Sequence, residues 1–250
     1  MLVNNRLIGS ANLNSQISVP ANTTLLASDL EKIHIVTANC TVTLPSATNC
    51  ANRSYHIIID TTVSQTVTIT AAASETIDGQ QSRILWAGES LTLFSTGSVW
   101  KKISGKTIPI ISGLLKTADQ STTSGSVTKQ ILQTSYASNF SHAIDTTNSR
   151  IYVRRTGIYS CIATARWKNV TVAGAYETLI YLNGSEVFNT SRYMQAGDWG
   201  AVSAVHNFSL AAGDYLEAWA RQYTGSAQTL FGGSAGAGIG GLFVTEQLQW

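Results

Sequence analysis

Thr66-Val67-Thr68-Ile69-Thr70 alternates polar and β-branched residues without a break. A strand points successive side chains to opposite faces, so this run sets Val67 and Ile69 on one face and three threonines on the other. The same rhythm recurs in Ile33-His34-Ile35-Val36, Thr41-Val42-Thr43-Leu44, Ser90-Leu91-Thr92-Leu93-Phe94 and Val99-Trp100-Lys101-Lys102-Ile103. Turn residues separate the runs: Leu44-Pro45-Ser46, Asp78-Gly79, Ala87-Gly88-Glu89 and Thr96-Gly97-Ser98. Strands punctuated this closely predict a sandwich or barrel.

The second half resumes the pattern at Ile151-Tyr152-Val153 and over 157–167, 176–182, 201–210, 214–223 and 241–247. Leu182-Asn183-Gly184-Ser185 is a hairpin signal, because Asn-Gly suits the two positive-φ positions of a type I′ turn. Helical periodicity is nearly absent, with one turn at most over 28–32. No heptad run, Gly-x-y repeat or long parallel β-helix repeat is visible. The fold class is therefore all-β.

Between the halves, Ser121-Thr122-Thr123-Ser124-Gly125-Ser126 is small and polar. It marks 105–126 as a linker between a small β domain at 21–104 and a second β domain at 127–250. Residues 1–20 scatter Leu2, Val3, Leu7, Ile8 and Leu13 among Asn and Ser. They bury little alone and read as an extended arm that orders against another surface.

Composition narrows the function. Charged residues make up 12% of the 250, against about 25% in a typical soluble domain. So little charge implies surface covered by self-association or by a larger assembly. The net charge is +2 and no basic run exceeds Lys101-Lys102 or Arg154-Arg155, which argues against a nucleic-acid partner. No apolar run approaches the roughly 20 residues of a membrane span, and the N-terminus has no signal-peptide core. The three cysteines, Cys40, Cys50 and Cys161, include no Cys-x-x-Cys pair. They fit synthesis in a reducing cytosol, with Cys40 and Cys50 as the pair that could join.

Two resemblances stand on these motifs. The ordered series Thr41-Val42-Thr43-Leu44-Pro45-Ser46-Ala47, Glu75-Thr76-Ile77-Asp78-Gly79, Ala87-Gly88-Glu89-Ser90-Leu91 and Gly97-Ser98-Val99-Trp100 resembles a small β domain of phage tail-fibre and virion-appendage proteins. In the second half, Phe140, Gly157-Ile158-Tyr159, Leu182-Asn183-Gly184, Leu210-Ala211-Ala212-Gly213-Asp214-Tyr215-Leu216 and Gly240-Gly241-Leu242-Phe243-Val244 resemble the jelly-roll head domain of the C1q and tumour-necrosis-factor group. The second resemblance implies a homotrimer around a three-fold axis. Beside it, Tyr215, Glu217 and Trp219 share one strand face, and aromatic faces of this kind suit a subunit interface.

Motifs for catalysis fail in context. Gly232-Gly233-Ser234-Ala235-Gly236 matches a nucleophile elbow, which needs a helix after it; here a strand pattern follows. His34, His56, His142 and His206 lie far apart in sequence, so no zinc ligand set is read. Asp60, Asp78, Asp145, Asp198 and Asp214 flank turns, where such side chains bond the local backbone; a loop calcium site is the alternative. No enzyme, cofactor or metal is expected. The segment 191–200 reads as a long loop with Arg192, Tyr193, Asp198 and Trp199, joined by Trp167. It is the candidate for binding a glycan or a neighbouring subunit.

The expected function is a non-enzymatic homotrimer on the surface of a phage particle, assembled in the bacterial cytoplasm. In the first version it is a capsid-decoration protein, with the arm of Leu2, Val3, Leu7, Ile8 and Leu13 docked on the major capsid protein. In the second it is a tail-fibre protein on the baseplate that binds a host surface glycan or protein.

Overall fold

The computed structural model describes residues 15–64, 66–108, 111–137, 143–233 and 240–247. Phe140, His142, Ser234 and the attachment candidates Leu2, Val3, Leu7, Ile8 and Leu13 lie outside them. The chain divides into two compact units, 1–108 and 109–250.

The first unit contains β1 (Gln16–Val19), β2 (Thr23–Thr24), β3 (Ile33–Val36), β4 (Thr41–Thr43), β5 (Ser54–Ile59), β6 (Val67–Thr70), β7 (Ser82–Leu85), β8 (Ser90–Ser95) and β9 (Trp100–Ser104). They form two sheets, β1-β3-β5-β8-β9 and β2-β4-β6-β7. Strands β1, β3 and β5 are parallel, and so are β2, β4 and β6. The chain alternates between the sheets, so each of three successive coils gives one strand to each. Strands β7, β8 and β9 then add antiparallel. This is a short parallel β-solenoid closed by antiparallel strands. The alternation in sequence fixes which face is buried: Val36, Val42, Ile57 and Ile69 are all at 0% exposure.

In-register stacking of like residues stabilises the coils. Val19, Val36 and Ile59 line up across β1, β3 and β5, as do Ile17, His34 and Ile57. His34 is fully buried in that row, its ring 5.3 Å from Tyr55, which lies 5.6 Å from Trp100. Two expectations change here. The region is a parallel solenoid, and residues 16–19 of the supposed arm are the first strand of its sheet. Cys40 and Cys50 are free and buried, as is Cys161.

The second unit contains β10 (Ile111–Leu115), β11 (Gln120–Thr122), β12 (Thr128–Lys129), β13 (Thr134–Ala137), β14 (Ala143–Asp145), β15 (Arg150–Tyr152), β16 (Gly157–Trp167), β17 (Gly174–Leu182), β18 (Ser185–Met194), β19 (Gly200–Leu210), β20 (Tyr215–Tyr223), β21 (Gln228–Leu230) and β22 (Gly241–Gln247). One sheet runs β11-β21-β16-β22-β10-β13 with β19 also on β16. The other runs β14-β15-β20-β17-β18 with β12 also on β20. The antiparallel pairs nest: β10 with β22, β15 with β20, β16 with β19, and β17 with β18 innermost. A chain folded as nested hairpins and rolled into two sheets is a jelly roll. Tyr159, Cys161, Ile180, Ala204, Leu216 and Val244 fill the space between the sheets.

From 109 on, the supposed linker belongs to this unit, since β10 and β11 fall inside 105–126. Its polar residues satisfy hydrogen bonds within the fold. The Thr122 hydroxyl donates to the Gln228 carbonyl (3.1 Å), and the Gln222 amide donates to the Thr122 carbonyl (3.3 Å). Lys116, 1% exposed, donates to Gln120 Oε1 (2.8 Å) and the Ile131 carbonyl (3.3 Å). Burial pushes its ammonium down to about 8.

Candidate functional site

Strand pairing fixes which residues of the β10/β13/β16/β19/β22 sheet point away from the core. Val205, Ile162, Phe243, Gly113 and Tyr136 lie directly opposite one another across all five strands. Val205 is 53% exposed, Ile162 39% and Tyr136 58%. The neighbouring outward rows are small or amide-bearing: Asn207, Ser160 and Thr245 on one side, Ser203, Thr164 and Gly241 on the other. Arg166 is the one charged residue among the described outward positions, and its guanidinium sits 5.0 Å from the Phe231 ring. The face is therefore apolar along its middle and nearly free of charge.

The opposite sheet is different. Tyr215, Glu217 and Trp219 do point outward together from β20, as their spacing predicts, but Glu217 is spent within the chain. At 1% exposure, it accepts from Lys129 Nζ (2.6 Å), Arg150 Nε (2.6 Å) and Trp219 Nε1 (3.0 Å). Burial pushes its carboxyl up, and these three bonds more than reverse that, leaving it below its ordinary value. Trp219 stacks on Tyr181 at 4.6 Å, and Arg150 lies 4.2 Å over the Tyr215 ring. Arg221 is likewise bonded to Glu177 (2.6 Å), so these charges of the face are held as internal pairs.

The loop candidate is split by the structure. Residues 191–194 continue strand β18, so the loop proper is 195–199. Trp167 is a correction: at 0% exposure it packs on Tyr176 at 4.8 Å inside the sandwich and cannot reach a ligand. Tyr193, 64% exposed, lies beside Ala175 on the outer face of the other sheet. Asp198 closes the turn by accepting from the Gln195 N–H (2.9 Å). Asp60, Asp145 and Asp214 close their own turns in the same way. Among the described residues no three His, Cys, Asp or Glu gather where a metal ion could sit.

Trp199 is 53% exposed at one end of the jelly roll. Its ring meets Phe231 edge-on at 5.5 Å, and Lys168 approaches the same Phe231 ring at 5.7 Å. Lys168 pairs with Asp119 (2.7 Å), which also accepts the Gly232 N–H (2.9 Å). Arg192 lies near, its Nη1 3.9 Å from where a side chain on Gly200 would begin. Phe231, Arg166 and Asp119 were not legible as site residues, whereas Lys168 follows Trp167 in the segment that the sequence joined to the loop. They come from separate segments, and strand order alone gathers them.

No family model matches the chain, and no curated protein does. Among solved structures it is similar to murine APRIL at pH 5.0, at 17% identity over 56% of this chain and 100% of that one, with a TM-score of 0.41. It is similar to the Eiger TNF of S. frugiperda at 10% identity over 57% and 96%, with a TM-score of 0.38. Murine APRIL at pH 8.5 gives 15%, 56%, 100% and 0.40. The jelly-roll assignment stands on the nested strand pairs themselves.

Proposed function

We propose that the chain is a non-enzymatic structural protein of a phage particle, assembled as a homotrimer and carried outside the capsid as a decoration protein. The observation that carries the self-association is the outer face with Val205, Ile162, Phe243 and Tyr136 across its middle and Arg166 as its one charge among the described outward positions. Apolar area taken from water is stabilising by about 25 cal/mol per Å², and no charge on these rows has to be desolvated with it. A second copy of the same low-charge chain is the natural cover. The order of motifs over 41–100 supports the virion address. The arm of Leu2, Val3, Leu7, Ile8 and Leu13 is assigned to the major capsid protein, where it bridges capsomers.

A second reading is favoured by one observation. Trp199 is an exposed ring beside Phe231, with two cations near, at the loop end of the jelly roll. Such a ring stacks on the apolar face of a sugar, and three weak copies in a trimer add through avidity. In that reading the chain is a tail-fibre protein that binds a host glycan, mounted on the baseplate.

Gold-labelled antibody imaging of intact particles separates the two. Label over the heads is expected for a decoration protein, and label at the tail tip for the receptor-binding reading. Particles without label overturn the virion assignment.

A further inference from the structure

The first unit carries a cavity of about 170 Å³ on the outer face of the β1-β3-β5-β8-β9 sheet. Pockets for drug-sized ligands run to about 300–1,000 Å³, so this one suits a ligand of a single ring. Strand pairing builds its floor. His56, Thr92 and Ser104 lie opposite one another across β5, β8 and β9, with Ser54 opposite Phe94 one step along. The register of β8 and β9 shifts between Thr92 and Leu93. That irregularity leaves Ile103 as an extra, 52% exposed residue at the wall. Bulges re-aim side chains in this way.

The rim is held in an uncommon backbone. Glu31 (φ 64°) and Asn52 (φ 61°) both line the cavity in the left-handed region. Such residues persist where the surroundings over-determine them, and they concentrate at binding sites. The surroundings are visible here. The Glu31 carboxylate accepts the Ser54 N–H (2.9 Å) and hydroxyl (3.1 Å), and the Glu31 N–H donates to the Ser54 carbonyl (2.9 Å).

One charged group at the cavity is unspent. His56 Nδ1 is within 3.3 Å of the Thr92 hydroxyl, and Nε2 is shut off from solvent and so from the cavity. The exposed Arg53 guanidinium makes no ion pair or side-chain hydrogen bond among the described residues.

Charge selects the ligand class. Arg53 and Glu31 carry opposite signs on one small cavity, so neither an anion nor a cation meets a favourable net field. A neutral polyol uses both, because hydroxyls donate to the carboxylate and accept from the guanidinium and the Asn52 amide. The Phe94 ring and the Ile103 side chain supply the apolar surface on which a ring's C–H face rests. We propose that this cavity is a binding site for one neutral pyranose unit of a polysaccharide. It is independent of the Trp199 reading.

The test is a titration of the full chain with methyl α-D-glucoside, methyl β-D-galactoside and N-acetyl-D-glucosamine, followed by the imidazole NMR signals of His56. At least one sugar is expected to shift them saturably. Phe94→Ala and Arg53→Gln should each weaken that binding by about tenfold, the size of one lost polar or stacking contact. Trp199→Ala should leave it unchanged. Sorbitol, which offers hydroxyls but no ring face, should not bind. Silence from all three sugars overturns the proposal, and so does a shift that sorbitol reproduces or that Arg53→Gln and Phe94→Ala both leave intact. Backbone amide spectra of both variants establish that each is folded.

Discussion

The ring of Phe243 lies over Gly113: a Cβ built on Gly113 would stand 2.6 Å from the ring's Cε1 and 2.7 Å from its Cδ1. The two residues face each other across β10 and β22. A glycine inside a strand weakens it; here it lets an aromatic ring lie flat on the low-charge face. Gly113→Ala forces the ring off the sheet. It should cost about 1–3 kcal/mol by overpacking and should also weaken self-association. Urea unfolding and native mass read the two effects separately.

Glu217 tests the opposite face. Removing its carboxylate leaves Lys129, Arg150 and the Trp219 N–H without their shared acceptor. Both cations keep about a quarter of their side chain exposed, at 27% and 29%, so they can turn toward water. Glu217→Ala should therefore cost about 2–4 kcal/mol, toward the low end for a broken buried pair. Its native mass should match the wild type. A variant of unchanged stability but single-subunit mass would make Glu217 an interface residue instead.

His34 gives the solenoid a pH dependence. Burial, opposed by nearby Asp29, lowers its imidazole below the ordinary 6.5. The folded state therefore holds the neutral ring, while the unfolded chain takes up a proton as pH falls below about 6.5. His34's contribution to stability is complete above that value and is lost as pH falls through the lower folded value. The protection factor of the β3 and β5 amides, with the intrinsic pH dependence of exchange divided out, should fall over this window in the wild type. It should stay flatter in His34→Leu.

Trp199 is exposed and holds no buried group in place. Trp199→Ala should shift stability by no more than about 0.5 kcal/mol and leave the native mass alone. Binding of host-wall glycan should weaken. Unchanged glycan affinity removes Trp199 from any receptor site.

These sites differ in how far the sequence revealed them. The turn Asn183-Gly184 was legible because its chemistry is local: both residues have positive φ, 51° and 83°, and they join β17 to β18. Gly213 (φ 96°) marks another positive-φ turn, closed by Asp214. The parallel pairing of β1, β3 and β5 was not legible. Alternation states which face of a strand is buried and says nothing of its partner's direction. The successive partners Gln16, Ile33 and His56 are unevenly spaced, so no repeat announces the coils. Trp167 was misplaced for a related reason. It ends β16 on the inward side, and parity from Tyr159 onward would have put it in the core. The run 105–126 looked like a linker because the hydroxyl and carbonyl of its Thr122 are answered by Gln228 and Gln222, about a hundred residues away.

The most direct measurement is the molar mass of the intact chain by light scattering, in dilute solution at neutral pH, beside Ile162→Lys. Three times the 26.7 kDa subunit mass is expected for the wild type and a single subunit for the variant, with both folded. A wild type that runs as one subunit contradicts the account.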